Sequence, residues 1–202
     1  TLNKNITKVD YYISLMSLPY IFRNEKTPET YKYIKQDDKL SKFWRSKFIT
    51  KKYKVGLVWQ GDKIHVSDYK RSISLNKLIP LLKVQNIEFI SLQKGFGREQ
   101  ILLNKLEKNI IDFFDNIQSF HDTVAIIDNL DLIISVDTAI AHIAATMGKE
   151  TWILLPFVPD FRWGLYKPKT NWYNTVTLFR QKKINDWDLP IKSIKKSLIK
   201  KF

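Results

Sequence analysis

Residues 134–156 read ISVDTAIAHIAATMGKETWILLP. An apolar run ends at Val136 and a second one occupies Thr151–Leu155. Between them lie Asp137-Thr138, a stretch rich in small residues (Ala139, Ala141, Ala144, Ala145) and a stop at Gly148. Strand, helix and strand on tight connections form the repeating unit of a parallel sheet. Both runs are continuously apolar rather than alternating, as expected of strands buried on both faces. The apolar residues belong to the core, but Asp137, Thr138 and His142 need another explanation.

The same texture extends in both directions. KVGLVWQG (54–61) predicts a strand ending at Gly61, and IEFISLQ (87–93) a second. NIIDFF (109–114) is a weaker third, DLIISVD (131–137) the fourth, TWILLP (151–156) the fifth and TVTLFRQ (175–181) the sixth. Helical patterns fall between them. SLNKLIPLLKV (74–84) has a Ser at its cap and a Pro80 expected to kink or break it. REQILLNKLEK (98–108) and SFHDTVAIIDNL (119–130) follow, the latter capped by Ser119. The fold class predicted is α/β, a doubly wound Rossmann-like parallel sheet over residues 54–182. Residues 183–202 add an amphipathic C-terminal helix. Residues 1–53 read as a lead-in from an absent or truncated N-terminal domain, with a short helical turn at SKFWRSKF (41–48) and a strand considered only near Tyr12–Leu15.

Composition narrows the function. The 202 residues suffice for a full-sized core. No apolar run of membrane-spanning length is present, and the first ten residues lack a signal-peptide core. The sequence starts without Met and is read as an excerpt or a processed fragment. Cysteine is absent, which removes disulfides and thiolate metal sites and fits the cytoplasm. The net charge of +14 admits nucleic acid, anionic membrane or phosphorylated ligands as partners. Lys is frequent throughout, so compositional bias accounts for most of that charge. Without a recognition motif, nucleic acid is an unlikely partner.

Ligands of open α/β sheets bind at the carboxyl ends of the strands. Asp137-Thr138 opens a helix there, so free backbone amides and the positive end of the dipole form an anion seat. The small helix can lie close to the sheet. His142 is four residues beyond Thr138 and shares its helix face. The first loop, WQGDKIHVSDYKRSI (59–73), is long and polar, with Gly61 permitting close approach and Arg71-Ser72 at its end. A guanidinium there suits phosphate oxygens. Gln93-Lys94-Gly95 follows the second strand and can cradle a base or ribose. Neither GxGxxG after the first strand nor a Walker loop is present. Each group also has a plain structural reading: a helix cap and buried histidine, a solvated basic loop, a turn.

KVGLVWQG, RSI (71–73), FISLQKG (89–95) and residues 130–163 (LDLIISVDTAIAHIAATMGKETWILLPFVPDFRW) resemble, in this order, the donor-binding C-terminal half of GT-B glycosyltransferases of family 9, the heptosyltransferase type. They are similar to the version found in bacterial tetratricopeptide-repeat proteins, and LMSLPYIF (15–22) resembles the segment leading into it. The resemblance implies a two-domain enzyme that transfers a sugar from a nucleotide-diphosphate sugar to an unknown acceptor (protein, glycan or lipid-linked), with inversion. A helix N-terminus, Arg71 and His142 can stabilise the departing diphosphate, and no residue cluster has metal-ligand spacing, so no metal or other cofactor is expected. The resemblance carries phosphate binding onto Arg71, Asp137, Thr138, His142 and the helix start at Ala139, and matches Gln93, Lys94 and Gly95 to the loop that meets the nucleoside; Gly61 and Ser72 join the donor-binding candidates from their place in the first loop. His142 is expected to hydrogen-bond or protonate the leaving phosphate. Such enzymes commonly have Gly after the Asp-Thr pair; Ala139 here adds a methyl group. The catalytic base is expected in the N-terminal half and is not assigned.

Two further expectations complete the reading. The aromatic-rich stretch 154–173 is a pocket wall, a lid or a loop packed on another domain. The basic terminal helix either packs on the protein or makes peripheral contact with an inner membrane face. The competing function is a non-catalytic nucleotide-binding or interaction module that retains the fold.

Overall fold

The computed structural model describes residues 9–23 and 32–202. The chain start that was read for signal-peptide character and part of the polar stretch 23–39 lie outside them. Elements follow in the order α1 (Leu18–Ile21), α2 (Asp38–Arg45), β1 (Tyr53–Val58), α3 (Asp68–Arg71), α4 (Leu75–Leu82), β2 (Ile87–Ser91), α5 (Gln100–Leu103), β3 (Ile110–Asp112), α6 (Phe120–Asp128), β4 (Leu132–Val136), α7 (Ala139–Thr146), β5 (Thr151–Leu155), β6 (Val176–Arg180) and α8 (Asp188–Ile199).

The strands form one sheet in the order β3-β2-β1-β4-β5-β6, with every pairing parallel. This is the doubly wound arrangement, and its order reverses between β1 and β4. There Val55 pairs with Leu132 and Gly56 with Ile133. A Cβ on Gly56 would stand 2.7 Å from side-chain carbons of both Leu92 and Leu130, so glycine lets those leucines close over the sheet centre.

Each sheet face has its own core. Leu57, Leu132, Ile134 and Leu154 meet Leu75, Leu78 and Leu81 of α4 and Ile191, Ile194 and Leu198 of α8. On the other face Val58, Ile90 and Ile133 meet Val124–Ile127 of α6 and Ala144 of α7. Ala141 and Ala145 sit against Ile153, Leu155 and Trp163. The alanines let α7 lie close to the sheet, and Gly148 (φ +74°) turns the chain out of it.

Several expectations are corrected. Pro80 does not break α4: it is exposed, as is Asn76, whose carbonyl its missing N–H leaves free, while Leu75, Leu78, Leu81 and Leu82 keep the inner face continuous. The helix expected over 98–108 is one turn, α5. Ile101 and Leu106 both enter the core, which a continuous helix cannot arrange for residues five apart. Lys105 takes a left-handed φ of 55° and folds the chain back. Tyr12–Leu15 is no strand; Leu15–Ser17 is a 3-10 turn running into α1.

Within the lead-in, α2 packs on α6. Trp44 is 1% exposed, its Nε1–H donating to Asp122 at 3.1 Å, and Ser41 donates to Asp128 at 2.5 Å. The inner side of α8 is covered by α4 and the sheet, so Ile191, Ile194 and Leu198 are not available to a membrane. Among the described residues no helix is long and apolar enough to cross one.

Candidate functional site

A cavity of about 530 Å³ opens at the carboxyl ends of β1, β2 and β4, beside the point where strand order reverses. Its size suits a small-molecule ligand. Of the ten residues singled out from sequence, the structure brings Gly61, Arg71, Gln93, Lys94, Gly95, Thr138 and Ala139 to its lining; Ser72, Asp137 and His142 stand outside it.

The polar corner is built at the start of α7. Intrahelical hydrogen bonds begin at Ala141 N–H to Thr138 O, so the amides of Ala139 and Ile140 precede them. Thr138 Oγ1 lies 3.0 Å from Ser135 Oγ, and Ala139 is exposed at the cavity. Arg71 reaches this corner from the first loop, its Nη1 donating to the Asp137 carbonyl at 2.9 Å. A guanidinium and a helix N-terminus thus share one wall, an arrangement suited to an oxyanion.

The loops are fixed by buried amides. Gln93 accepts the Trp59 and Gln60 N–H groups on Oε1 (3.0 and 2.9 Å) and donates from Nε2 to the carbonyls of Gln60 (3.0 Å) and Phe96 (2.7 Å). Its side chain therefore braces the β1 and β2 loops instead of presenting itself to a ligand. Lys94 is exposed on the cavity, and Gly95 takes φ +70°, which a β-carbon disfavours. The lining also has an apolar part: Phe96, Phe114, Ile117 and Phe120. Sequence reading did not select it, because its members are scattered over the β2–α5 connection, the β3–α6 connection and the first residue of α6.

His142 faces away from the cavity lining. Its ring stacks on Trp163, its Nδ1 is 2.9 Å from Tyr173 Oη, and its Nε2 is 3.7 Å from Asp137 Oδ1. Burial and the neighbouring Tyr33 push the Tyr173 phenol up from its ordinary value, keeping it protonated. Burial disfavours the Asp137 carboxylate, but His142, the Trp163 indole and Arg162 outweigh it and hold the group below its ordinary value. Trp163 Nε1–H makes no hydrogen bond of ordinary geometry among the described residues, so it acts on Asp137 as a nearby dipole. Asp137 is consequently engaged with His142 rather than capping α7.

Trp163 belongs to the loop joining β5 to β6. It is buried with Ala141 and Ala145. Arg180 holds the loop from beneath, donating to the carbonyls of Trp163 and Lys167. This loop lines a separate hollow of about 380 Å³ and contributes nothing to the main cavity.

Residues 118–186 match the model of glycosyltransferase family 9 (heptosyltransferase). Among solved structures, E. coli ADP-heptose LPS heptosyltransferase II is similar with a TM-score of 0.58 and 11% identity, over 82% of this chain and 52% of that one. The chain thus spans about half the length of that protein. At that identity the likeness is one of fold. No curated protein matches in sequence. The matched stretch holds Asp137, Thr138, Ala139 and His142; Gly61, Arg71 and Gln93 lie before it.

Proposed function

We propose that this chain is the donor-binding part of a glycosyltransferase, taking a nucleotide-diphosphate sugar in the cavity at the β1–β4 reversal. The observation that carries the reading is the convergence of the Ala139 and Ile140 amides with Arg71 in a cavity that the apolar side chains of Phe96, Phe114 and Phe120 also line. A diphosphate fits the polar groups and a nucleobase the apolar ones. The family match over residues 118–186 favours the same assignment.

The chemistry follows from charge. Transfer of the sugar breaks its bond to the diphosphate, and negative charge grows on the departing phosphate oxygens. Helix amides and a guanidinium already directed there stabilise that charge without reorganising. His142 contributes indirectly, holding Asp137 and the turn whose carbonyl anchors Arg71. Direct proton donation from His142 gains no support from a ring stacked on Trp163 and bonded to Tyr173. The acceptor, the base that activates it and inversion at the sugar belong with the family resemblance. Upstream tetratricopeptide repeats find no support in either comparison.

A second reading, a nucleotide-binding module without turnover, draws on Ala139, whose methyl stands exposed at the cavity. Calorimetric titration with UDP, ADP, GDP and CDP tests the common part of both. The expected result is saturable binding of one nucleotide, weakened in Arg71→Ala. Binding unaffected by that change removes the assigned diphosphate seat. Sugar transfer assayed with the natural full-length protein separates enzyme from module.

A further inference from the structure

Asp68 was not among the residues selected from sequence. It opens α3, one turn before Arg71, and is only 6% exposed. Its Oδ1 accepts from Arg71 Nε at 3.0 Å and its Oδ2 from Ser72 Oγ at 2.7 Å. Ser72 Oγ in turn accepts the Gly61 N–H at 2.9 Å. A Cβ on Gly61 would fall 2.2 Å from Asp68 Oδ1 and 2.8 Å from Arg71 Nε and Nη2, so the ion pair lies directly against the Gly61 backbone.

The guanidinium is therefore fixed from two sides. Nε is held by Asp68 within the first loop, and Nη1 by the Asp137 carbonyl at the β4–α7 turn. Nη2 has no hydrogen-bond partner among the described residues, and Arg71 lines the cavity beside Gly61, Thr138 and Ala139. A buried ion pair is poor evidence for stability, because desolvation offsets much of its attraction. What it does supply is orientation: a planar fork whose remaining N–H groups are aimed before a ligand arrives.

We infer that Asp68 is a positioning residue for Arg71, setting the guanidinium so that Nη2 meets a phosphoryl oxygen of a diphosphate ligand. The inference rests on the donor-site reading above. It makes a distinctive claim about sign. If Asp68 only compensated charge, removing its charge would strengthen anion binding; if it orients Arg71, removal weakens binding despite the gain in positive charge.

The test is a double-mutant cycle of Asp68→Asn and Arg71→Ala, titrated with UDP, ADP, GDP, CDP and inorganic pyrophosphate. The expected result is a loss of about tenfold in diphosphate affinity for Asp68→Asn, the scale of one charge-assisted hydrogen bond. In the Arg71→Ala background the same change should have no further effect. The Arg71 Nε–H signal in proton–nitrogen NMR should be protected in the native protein and lost in Asp68→Asn. A thermal melt checks the fold; should Asp68→Asn unfold, Asp68→Ser, which keeps a short acceptor, is read in the same way. Affinity unchanged or raised by Asp68→Asn, with Arg71→Ala still weakening binding, overturns the role of Asp68 and leaves the donor site standing. No binding by the native protein, or binding indifferent to Arg71→Ala, overturns the donor-site reading and this inference with it.

Discussion

His142 and Trp163 lie in stacked contact, with ring centroids 5.0 Å apart and planes inclined by 21°. The contact joins the second turn of α7 to the loop between β5 and β6. Trp163 is buried against Ala141 and Ala145, so this loop is anchored in the core rather than free to swing. Trp163→Ala is expected to cost about 3 kcal/mol, the lower range for deleting a buried aromatic. Urea unfolding measures it. Trp163→Phe, which retains a stacking surface, should lose less; equal losses would show that the ring contact with His142 contributes nothing of its own.

Asp137 gives a pH dependence with a defined sign. Its carboxyl is held below its ordinary value in the folded protein, against its burial, by His142, Trp163 and Arg162. The unfolded chain therefore takes up that proton first as pH falls. The group's contribution to stability is fully present above the ordinary carboxyl value near 4 and is lost on descending through the lower folded one. Asp122 titrates in the same direction: hydrogen bonds from Trp44 and from the Gln118 and Ser119 amides overcome its burial. The comparison must therefore be differential. Asp137→Asn should be less stable than the native protein at pH 7, and the gap should narrow below pH 4. A gap constant with pH would mean that the carboxylate charge is not what His142 and Trp163 hold.

The six strands and the parallel α/β class were legible because the strands are continuous apolar runs separated by short helical patterns; the spatial order of the strands came from the structure. Val55–Trp59 and Leu132–Val136 could hardly be anything but buried strands. The site was legible only in part, and for a physical reason. Arg71, Thr138 and Ala139 follow strand ends, where a topological rule finds them. Asp68 and Tyr173 act through partners, and those partners are set by folding, not by position after a strand. His142 illustrates the converse. Helical spacing placed it on the face of Thr138, but aromatic neighbours from residues 163–173 turned its chemistry away from the cavity. An acid one helical turn before Arg71 was the available sign of Asp68.

Trp44 tests whether the segment before β1 belongs to this domain. It packs with Val58, Ile90 and Val124 and donates to Asp122, which also accepts the Gln118 and Ser119 amides at the start of α6. Trp44→Ala is expected to destabilise the whole sheet domain by about 3–5 kcal/mol. Trp44→Phe, which loses the indole N–H and leaves Asp122 one donor short, should cost about 1–2 kcal/mol. Chemical denaturation followed by circular dichroism reads both. If α2 instead unfolds separately at low denaturant while the sheet is unaffected, the segment is an appendage and the boundary near residue 54 is the true domain edge.

Gly61 joins stability to the site in one position. Its φ lies outside the left-handed region, so a side chain there meets no backbone penalty, and the effect of substitution is purely steric. In Gly61→Ala the new methyl arrives 2.2 Å from Asp68 Oδ1 and 2.8 Å from two nitrogens of Arg71. One of the two must move. Moving Asp68 breaks its bonds to Arg71 and Ser72; moving Arg71 also releases the Asp137 carbonyl and loosens the β4–α7 turn. Overpacking of this kind costs about 1–3 kcal/mol. The melting midpoint should fall accordingly, and nucleoside-diphosphate affinity should fall with it, because the guanidinium leaves the α7 N-terminus. Full affinity in a destabilised Gly61→Ala protein would separate the two effects and show that the ligand does not depend on where the Asp68–Arg71 pair is held.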